Sequence, residues 1–121
     1  LMIDAAFADF PSIVSAGVIA RGFPDPPVSG ILLTMYSLLS GADWDAIHPE
    51  AHIARIDTPI LILHGTEDMV IPVAHAYRLA EAANDKVHFS IYEGGAHSRL
   101  YELDAARYQN DIMTYLTALF D

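Results

Sequence analysis

The sequence predicts an α/β fold built on an open, mostly parallel sheet with flanking helices. Residues 60–63 form an apolar run without polar alternation, which is typical of a strand buried on both faces. Val87–Tyr92 alternates apolar with polar side chains and predicts a second strand. Helical patterns separate and follow these strands in the order β-α-α-β-α-β-α, which favours right-handed parallel crossovers.

The chain opens on the apolar residues 1–3, which are followed by Asp4. They lack the basic start of a signal peptide and resemble the tail of a buried strand that has been cut from its upstream sequence. Asp9 can then cap a helix that has Pro11 in its first turn. We expect this helix to end at Gly22.

The proline-rich residues 23–27 forbid regular structure and predict a connector. Residues 28–39 follow as an apolar helix that ends at Gly41. We interpret residues 23–45 as a connector and short helical cap within a single domain, residues 1–121.

Two prolines and an aspartate mark the starts of three further helices. Pro49 can open a short helix, which Pro59 separates from the next strand, and Pro72 can open the helix that follows that strand. Asp104 can cap a terminal helix. Its apolar residues recur at spacings of three and four: Ile112, Tyr115, Leu116 and Leu119.

The composition limits the kinds of molecule that the chain can be expected to bind. The chain has 121 residues, of which 53% are hydrophobic and 18% are charged, enough for one domain with a buried core. Its formal charge of -10 makes nucleic acid and acidic membrane surfaces poor partners. The longest strongly apolar window, residues 28–39, is far shorter than the roughly 20 residues of a membrane span. The absence of cysteine excludes disulfides and thiolate metal sites, and leaves the compartment open with the cytoplasm favoured.

Two loops carry residues that suit acid–base chemistry. Asp68 follows the first predicted strand and Gly65, and His97 follows the second strand and the Gly94-Gly95 pair. Reactive groups of open α/β sheets collect beyond the carboxyl ends of strands, where glycines let the backbone turn sharply. An aspartate that accepts from a histidine ring fixes its tautomer, so that the other ring nitrogen can act as a general base. We therefore predict that Asp68 and His97 are an acid–base pair.

The segments around this pair resemble a known family. Residues 58–72 (TPILILHGTEDMVIP), residues 92–97 (YEGGAH) and, more weakly, residues 4–9 (DAAFAD) are similar to the C-terminal half of an α/β-hydrolase of the serine esterase and peptidase type. The resemblance implies a Ser-His-Asp triad, with His97 as base and Asp68 as acid, that cleaves small-molecule esters, thioesters or peptides. It implies no cofactor.

The nucleophile of that triad is missing from the chain. No serine lies within Gly-x-Ser-x-Gly, and the oxyanion loop is absent. Ser98 adjoins His97, but a sequence neighbour points away from the ring that it follows. We expect the serine to lie upstream, in a missing N-terminal half of the fold, and the chain alone to be inactive.

Several residues have competing interpretations. Asp4 is an alternative acid, because it follows an earlier strand. His64, at the end of a buried strand, is expected to be a hydrogen-bonded structural residue. His48 and His52 have the spacing of metal ligands but no third ligand, so we predict no metal site.

Apolar residues near the predicted site can line a substrate pocket. Phe7 and Met69 are the candidates that we favour, and Trp44 and the helix at residues 28–39 are weaker ones. Core packing explains most of these residues equally well.

Two further hypotheses stay open at this stage. The chain can instead be a non-catalytic, truncated module that forms a homodimer through an exposed sheet edge. The parent protein can also carry an aspartate nucleophile in place of the serine, as dehalogenase-like relatives do.

Overall fold

Three parallel strands form one sheet with the order β1-β2-β3 in a computed structural model that describes residues 1–83, 85 and 87–120. The strands are β1 (Met2–Asp4), β2 (Ile60–Gly65) and β3 (Val87–Tyr92). The predicted open parallel sheet is confirmed. The α-helices are α1 (Phe10–Ala20), α2 (Pro27–Ser40), α3 (Pro49–Ile53), α4 (Ala74–Ala82), α5 (Leu100–Leu103) and α6 (Ala105–Phe120), and a 3₁₀ helix spans Trp44–Ala46.

The central strand β2 is buried at every position because it is paired on both edges and covered on both faces. Its side chains alternate between two apolar clusters, which explains its unbroken apolar sequence. One cluster comprises Ala8, Ile53, Ile60, Ile62, Ala76 and Leu79, and the other comprises Leu61, Leu63, Tyr92, Leu100 and Tyr115.

The predicted helix caps are present. Asp9 accepts hydrogen bonds from the N–H and the hydroxyl of Ser12, both at 2.7 Å, at the start of α1. Gly41 ends α2 with a left-handed conformation, φ 73°. Asp104 accepts from the N–H of Arg107 at 2.9 Å in the first turn of α6. These polar groups satisfy backbone atoms that a helix end leaves without partners.

The helix boundaries differ from the sequence prediction in two respects. Helix α4 begins at Ala74, and Pro72 lies in the tight turn before it, where the carbonyl of Pro72 accepts from the N–H of His75 at 3.0 Å. The 3₁₀ helix and α5 were not predicted, because segments of three and four residues are too short to show a periodicity.

A polar cluster ties the middle of α4 to the starts of α1 and α3. Arg78 on α4 donates to the carboxylate of Asp9 at 2.6 Å and to Glu50 in α3. Burial by itself would raise the pKa of Asp9, but the hydrogen bonds from Ser12 and the Arg78 guanidinium lower it below the usual range. The charged form of Asp9 therefore stabilises the junction of α1, α3 and α4.

His75 on α4 is a buried histidine that the fold holds neutral. Its Nδ1 accepts a hydrogen bond from the N–H of Ala8 at 3.2 Å, and only 4% of the residue is exposed. Burial lowers the pKa of His75, because it penalises the imidazolium. In acid the unfolded chain takes up a proton that the folded chain does not, so stability is present above the unfolded pKa, about 6.5, and is lost as the pH falls below it.

We predict that His75→Gln weakens this pH dependence. The free energy of unfolding, measured by urea denaturation at about pH 7.5 and about pH 5.5, falls less in the variant than in the wild type because the proton-binding ring is gone. His52→Gln, at an exposed position, is the matched control and keeps the wild-type pH dependence. An unchanged difference between the two pH values in His75→Gln contradicts the assignment.

Candidate active site

The loops after β2 and β3 leave the sheet at the same end, where the strands have their carboxyl ends. The two strands are parallel neighbours, and Gly65 is the register partner of Tyr92. Their carboxyl ends are therefore adjacent, and the loops that carry Asp68 and His97 start side by side. The topology thus brings together two residues that are 29 positions apart in the chain.

Gly65 and Gly95 make the closest approach between these loops. A Cβ added to Gly65 would lie 2.0 Å from the carbonyl oxygen of Gly95, and one added to Gly95 would lie 2.9 Å from the Cα of Gly65. Backbone atoms occupy the space of each missing side chain, so neither position can hold a larger residue without a backbone shift. The glycines set the distance between the two loops.

Hydrogen bonds fix the loops at this distance. The N–H of Glu67 donates to the carbonyl of Gly95 at 2.9 Å, and the N–H of Thr66 donates to the carbonyl of Tyr92 at 3.0 Å. The hydroxyl of Thr66 accepts from the N–H of Gly94 at 2.9 Å. The segment before Asp68 is therefore bonded directly to the segment before His97.

Asp68 and His97 are hydrogen-bonded. The Oδ2 of Asp68 lies 2.8 Å from Nδ1 of His97, and its Oδ1 accepts from the N–H groups of Val70 and Ile71 at 2.9 and 2.8 Å. The Asp68 side chain is fully buried, whereas the His97 side chain is 35% exposed. Three donors thus hold the carboxylate in place.

This contact decides the tautomer of the His97 ring. Because a carboxylate only accepts, the neutral ring carries its proton on Nδ1 and leaves Nε2 with a free lone pair. A ring in this state can accept a proton at Nε2, and the Asp68 charge stabilises the resulting imidazolium. The arrangement is chemically suited to general-base catalysis.

His64 braces the Asp68 loop. Its ring Nε2 lies 2.9 Å from the carbonyl oxygen of Ile71, and therefore donates to it, and 3.5 Å from Oδ2 of Asp68. Ile71 in turn donates its N–H to Asp68, so both of its backbone polar groups are used to hold this loop. Sequence reasoning gave His64 a structural role but missed its target, because nothing in the sequence pairs it with Ile71.

Asp4, the alternative acid, is bonded elsewhere. Its Oδ2 accepts a hydrogen bond from the hydroxyl of Tyr108 on α6 at 2.8 Å. Burial, together with this hydrogen bond and the Asp4 charge, raises the pKa of Tyr108 to about 12. His97 therefore has Asp68 as its carboxylate partner in this structure.

Ser98 follows His97 in a strained conformation. Its φ is 53°, in the left-handed region that non-glycine residues rarely adopt. The residue is exposed, and the chain enters α5 two positions later.

Two apolar cavities adjoin the Asp68–His97 pair. The larger, of about 1170 Å³, is lined by Asp68, Met69, α1 and α2, and we call it the helix cavity. The smaller, of about 570 Å³, is lined by His97, Phe7 and two residues of β1, Ile3 and Asp4, and we call it the edge cavity. The two residues predicted to line a pocket, Phe7 and Met69, therefore line different cavities.

No group of three or more His, Cys, Asp or Glu side chains among residues 1–83, 85 and 87–120 is arranged to hold a metal ion. Within the same residues, no helix has the length and apolar character needed to cross a bilayer.

Comparison with known protein families identifies the family. The model of the family described as serine aminopeptidase, S33, matches residues 33–104. The chain belongs to this family. The match includes β2, β3, Asp68 and His97, and it places the chain in the α/β-hydrolase superfamily.

Among curated proteins, this S33 family chain is similar to the uncharacterized protein YqkD of Bacillus subtilis (strain 168). The two are 28% identical over 98 residues, which is 81% of this chain and 32% of YqkD. The chain thus spans about a third of the length of this relative.

Two esterases of known structure share the fold. An esterase of Pyrococcus furiosus matches 99% of this chain and 45% of its own with a TM-score of 0.69 and 15% identity. The esterase RhEst1 of Rhodococcus sp. ECU1013 matches 88% of this chain and 42% of its own with a TM-score of 0.55 and 25% identity. The S33 family chain therefore has part of the α/β-hydrolase fold, as its sequence predicted.

We predict that Gly65→Ala disrupts the candidate site. Because the new Cβ would lie 2.0 Å from the Gly95 carbonyl oxygen, the two loops must separate. We expect the free energy of unfolding, measured by urea denaturation, to fall by about 3 kcal/mol or more.

Gly30→Ala is the matched control. Gly30 lies within α2 and a Cβ there meets nothing within 4 Å. Alanine is favoured over glycine in a helix, so this variant gains about 0.5–1 kcal/mol. Equal stabilities for the two variants would show that the Gly65–Gly95 contact is not a constraint.

Proposed function

We propose that the chain supplies the acid and the general base of a serine hydrolase whose nucleophile lies upstream of it. The observation that carries this proposal is the 2.8 Å hydrogen bond between Asp68 and Nδ1 of His97 at adjacent strand ends. Membership of the S33 serine aminopeptidase family and the fold shared with two esterases support it. The chain alone, without a Gly-x-Ser-x-Gly segment, is expected to be inactive.

The edge cavity is where the upstream segment fits. Strand β1 pairs with β2 on one side, and its other edge has no partner strand within the described residues. A strand added in parallel to β1 would have its carboxyl end at the same end of the sheet as the loop that carries His97. It would adjoin the edge cavity, whose lining includes both β1 residues and His97. A serine in the turn after that strand would face Nε2 of His97.

The proposed reaction has two steps, acylation and deacylation, and His97 and Asp68 act in both. The serine oxygen bonds to the carbonyl carbon of the substrate while its proton moves to Nε2 of His97. The imidazolium then gives this proton to the leaving alcohol, thiol or amine, and an acyl-enzyme remains. Water repeats the sequence, with His97 again the base, and releases the acid. Asp68 keeps its charge and stabilises the imidazolium throughout.

Esters are the first substrates to test, because two of the solved structures that share the fold are esterases. Thioesters and peptides contain the same electrophilic carbonyl and stay within the proposal. The donors that stabilise the oxyanion would lie in the upstream segment, and this stabilisation is worth several kcal/mol of the barrier.

We predict that, in the protein with its upstream sequence restored, His97→Ala and Asp68→Asn each lower kcat for a small aryl ester by about 10³- to 10⁴-fold. The first removes the base, and the second removes the charge that fixes its tautomer. Initial rates of aryl ester hydrolysis measure both effects.

Asp4→Asn and Ser98→Ala are the controls, and each is expected to stay within about twofold of wild type. A large loss in Asp4→Asn would transfer the role of the acid to Asp4, and one in Ser98→Ala would make Ser98 the nucleophile. Full turnover by His97→Ala would contradict the proposal. Replacing the serine of the upstream Gly-x-Ser-x-Gly segment by alanine distinguishes a serine nucleophile from an aspartate nucleophile.

A second candidate is a non-catalytic module that forms a homodimer through the free edge of β1. Leu61 donates its N–H to the carbonyl of Leu1, and Ala5 donates its N–H to the carbonyl of Leu63. Because a strand directs alternate residues to opposite edges, the N–H and carbonyl of Met2 point away from β2, and 49% of this residue is exposed. Exposed edge strands of this kind favour pairing between chains.

We predict, under this second candidate, that Met2→Pro abolishes dimers in analytical ultracentrifugation because it removes an N–H from the free edge without affecting the bonds to β2. Met2→Ala retains the N–H and is the matched control, which keeps the wild-type dimer. A wild-type chain that is monomeric at all concentrations rules this candidate out.

A further inference from the structure

Aromatic side chains form a continuous row between the two cavities. The rings of Phe7 and Phe10 have centroids 6.1 Å apart in an edge-to-face arrangement, Phe10 and Trp44 are 5.0 Å apart, and Trp44 and Tyr36 are 6.5 Å apart. The row begins at the edge cavity, which Phe7 lines, and continues along the helix cavity, which the other three line. It therefore links the His97 side of the site to the space between α1 and α2.

The position of Trp44 in this row is fixed. Its indole Nε1 donates a hydrogen bond to the hydroxyl of Ser40 at 2.6 Å. Its ring lies between those of Phe10 and Tyr36, which belong to α1 and α2. A ring held in this way offers a preformed face to a ligand and loses little entropy on binding.

The helix cavity offers almost no charge to a ligand. Of its lining residues only Arg21 and Asp68 are charged. Asp68 already binds His97 and two backbone N–H groups. Arg21 donates to the carbonyl of Gly17 at 2.8 Å and is exposed. A ligand in this cavity therefore meets apolar surface rather than a charged partner.

The size of the helix cavity suits an organic group of several carbons. Its volume, about 1170 Å³, is slightly above the usual range for small-molecule sites, about 300–1,000 Å³. Met69 lies at its mouth beside Asp68 and is 90% exposed, and a thioether there can adapt to ligands of different shape and contact their rings. The remaining apolar lining is supplied by Ile13, Val14, Val18, Phe23, Val28, Leu32, Val70 and Val73.

We propose that the helix cavity binds the aromatic part of an uncharged ester. The role of this group as part of a substrate rests on the proposed hydrolase function, but its binding does not, since every lining residue belongs to this chain. Aromatic groups are favoured over saturated ones because ring pairs in edge-to-face or offset contact gain attraction beyond their buried area. Anions are disfavoured because the apolar lining would remove their hydration, whereas Arg21, the one cation of the lining, is bonded to the carbonyl of Gly17 and exposed to water, which screens its charge.

Trp44 makes this proposal testable on the chain itself. It is the only tryptophan in the sequence, so its fluorescence reports on the row directly. We expect methyl benzoate to change the Trp44 emission saturably and to bind about two- to tenfold more tightly than methyl cyclohexanecarboxylate, a ring of similar size without aromatic character. Benzoate ion is expected to bind at least about tenfold more weakly than its methyl ester.

Three variants, studied by isothermal titration calorimetry, distinguish loss of the binding site from loss of the fold. Phe10→Ala removes a ring of the row and is expected to weaken methyl benzoate at least about threefold. Phe89→Ala removes a ring that packs on Tyr77 outside both cavities, and it is the matched control with wild-type affinity. Gly17→Leu adds a side chain at the cavity wall within α1, where glycine is unfavourable; its Cβ would lie 3.3 Å from Nη1 of Arg21, an exposed flexible side chain that can shift. This variant is expected to abolish binding while the protein keeps its melting temperature.

Three results would overturn the proposal. Equal affinity for the aromatic and the saturated ester removes the aromatic preference, and equal affinity for benzoate removes the selection against charge. Retained binding by Gly17→Leu places the ligand elsewhere. Because none of these titrations needs a nucleophile, binding without turnover in the restored protein would refute the hydrolase function alone, and turnover without this binding would refute the ligand assignment alone.

Discussion

Gly65 and Gly95 bring the loops after β2 and β3 into backbone contact, and the candidate site depends on this contact. A Cβ at Gly65 would lie 2.0 Å from the carbonyl oxygen of Gly95, so the loops can approach only because a side chain is absent. The hydrogen bond from Glu67 to Gly95 then fixes the approach at its closest point. Asp68 follows immediately, and its distance to His97 is a consequence of how closely the two backbones pack.

The buried Asp68 carboxylate is the second constraint on the geometry of the candidate site. It is buried, which would be costly for a lone charge, and three N–H donors offset that cost. The brace from His64 to Ile71 holds one of those donors in place, so a buried residue of the strand supports an acid in the loop. His97 is thereby oriented through Nδ1, and its neutral ring presents the lone pair of Nε2. In the enzyme that we propose, Nε2 of this ring contacts the upstream serine, and the helix cavity beside Asp68 holds the aromatic group of the ester that this serine attacks.

The apolar run of β2, the alternation of β3 and the caps at Asp9 and Asp104 allowed the sheet and its main helices to be predicted, because each depends on residues close in sequence. The sequence also singled out Asp68 and His97 from their positions after strands. It assigned sharp turns to both Gly65 and Gly94. In the structure Gly94 has a positive φ and Gly65 does not; glycine is needed at position 65 because the backbone of Gly95 lies so close. It grouped Phe7 and Met69 in one pocket, and the structure separates them.

Sequence alone determined the fold class and the family resemblance, and it predicted Asp68 and His97 as acid and base with Asp4 as an alternative acid, because periodicity and strand-end motifs are local properties of the chain. Tertiary structure decided which carboxylate contacts His97, since Asp4 and Asp68 both follow strands and only the register of the sheet and the Tyr108 hydroxyl on α6 distinguish them. It also decided the two cavities and the aromatic row, whose members come from segments up to 37 residues apart, Phe7 to Trp44. Contacts of this kind depend on how helices pack in three dimensions, and no local pattern encodes that packing.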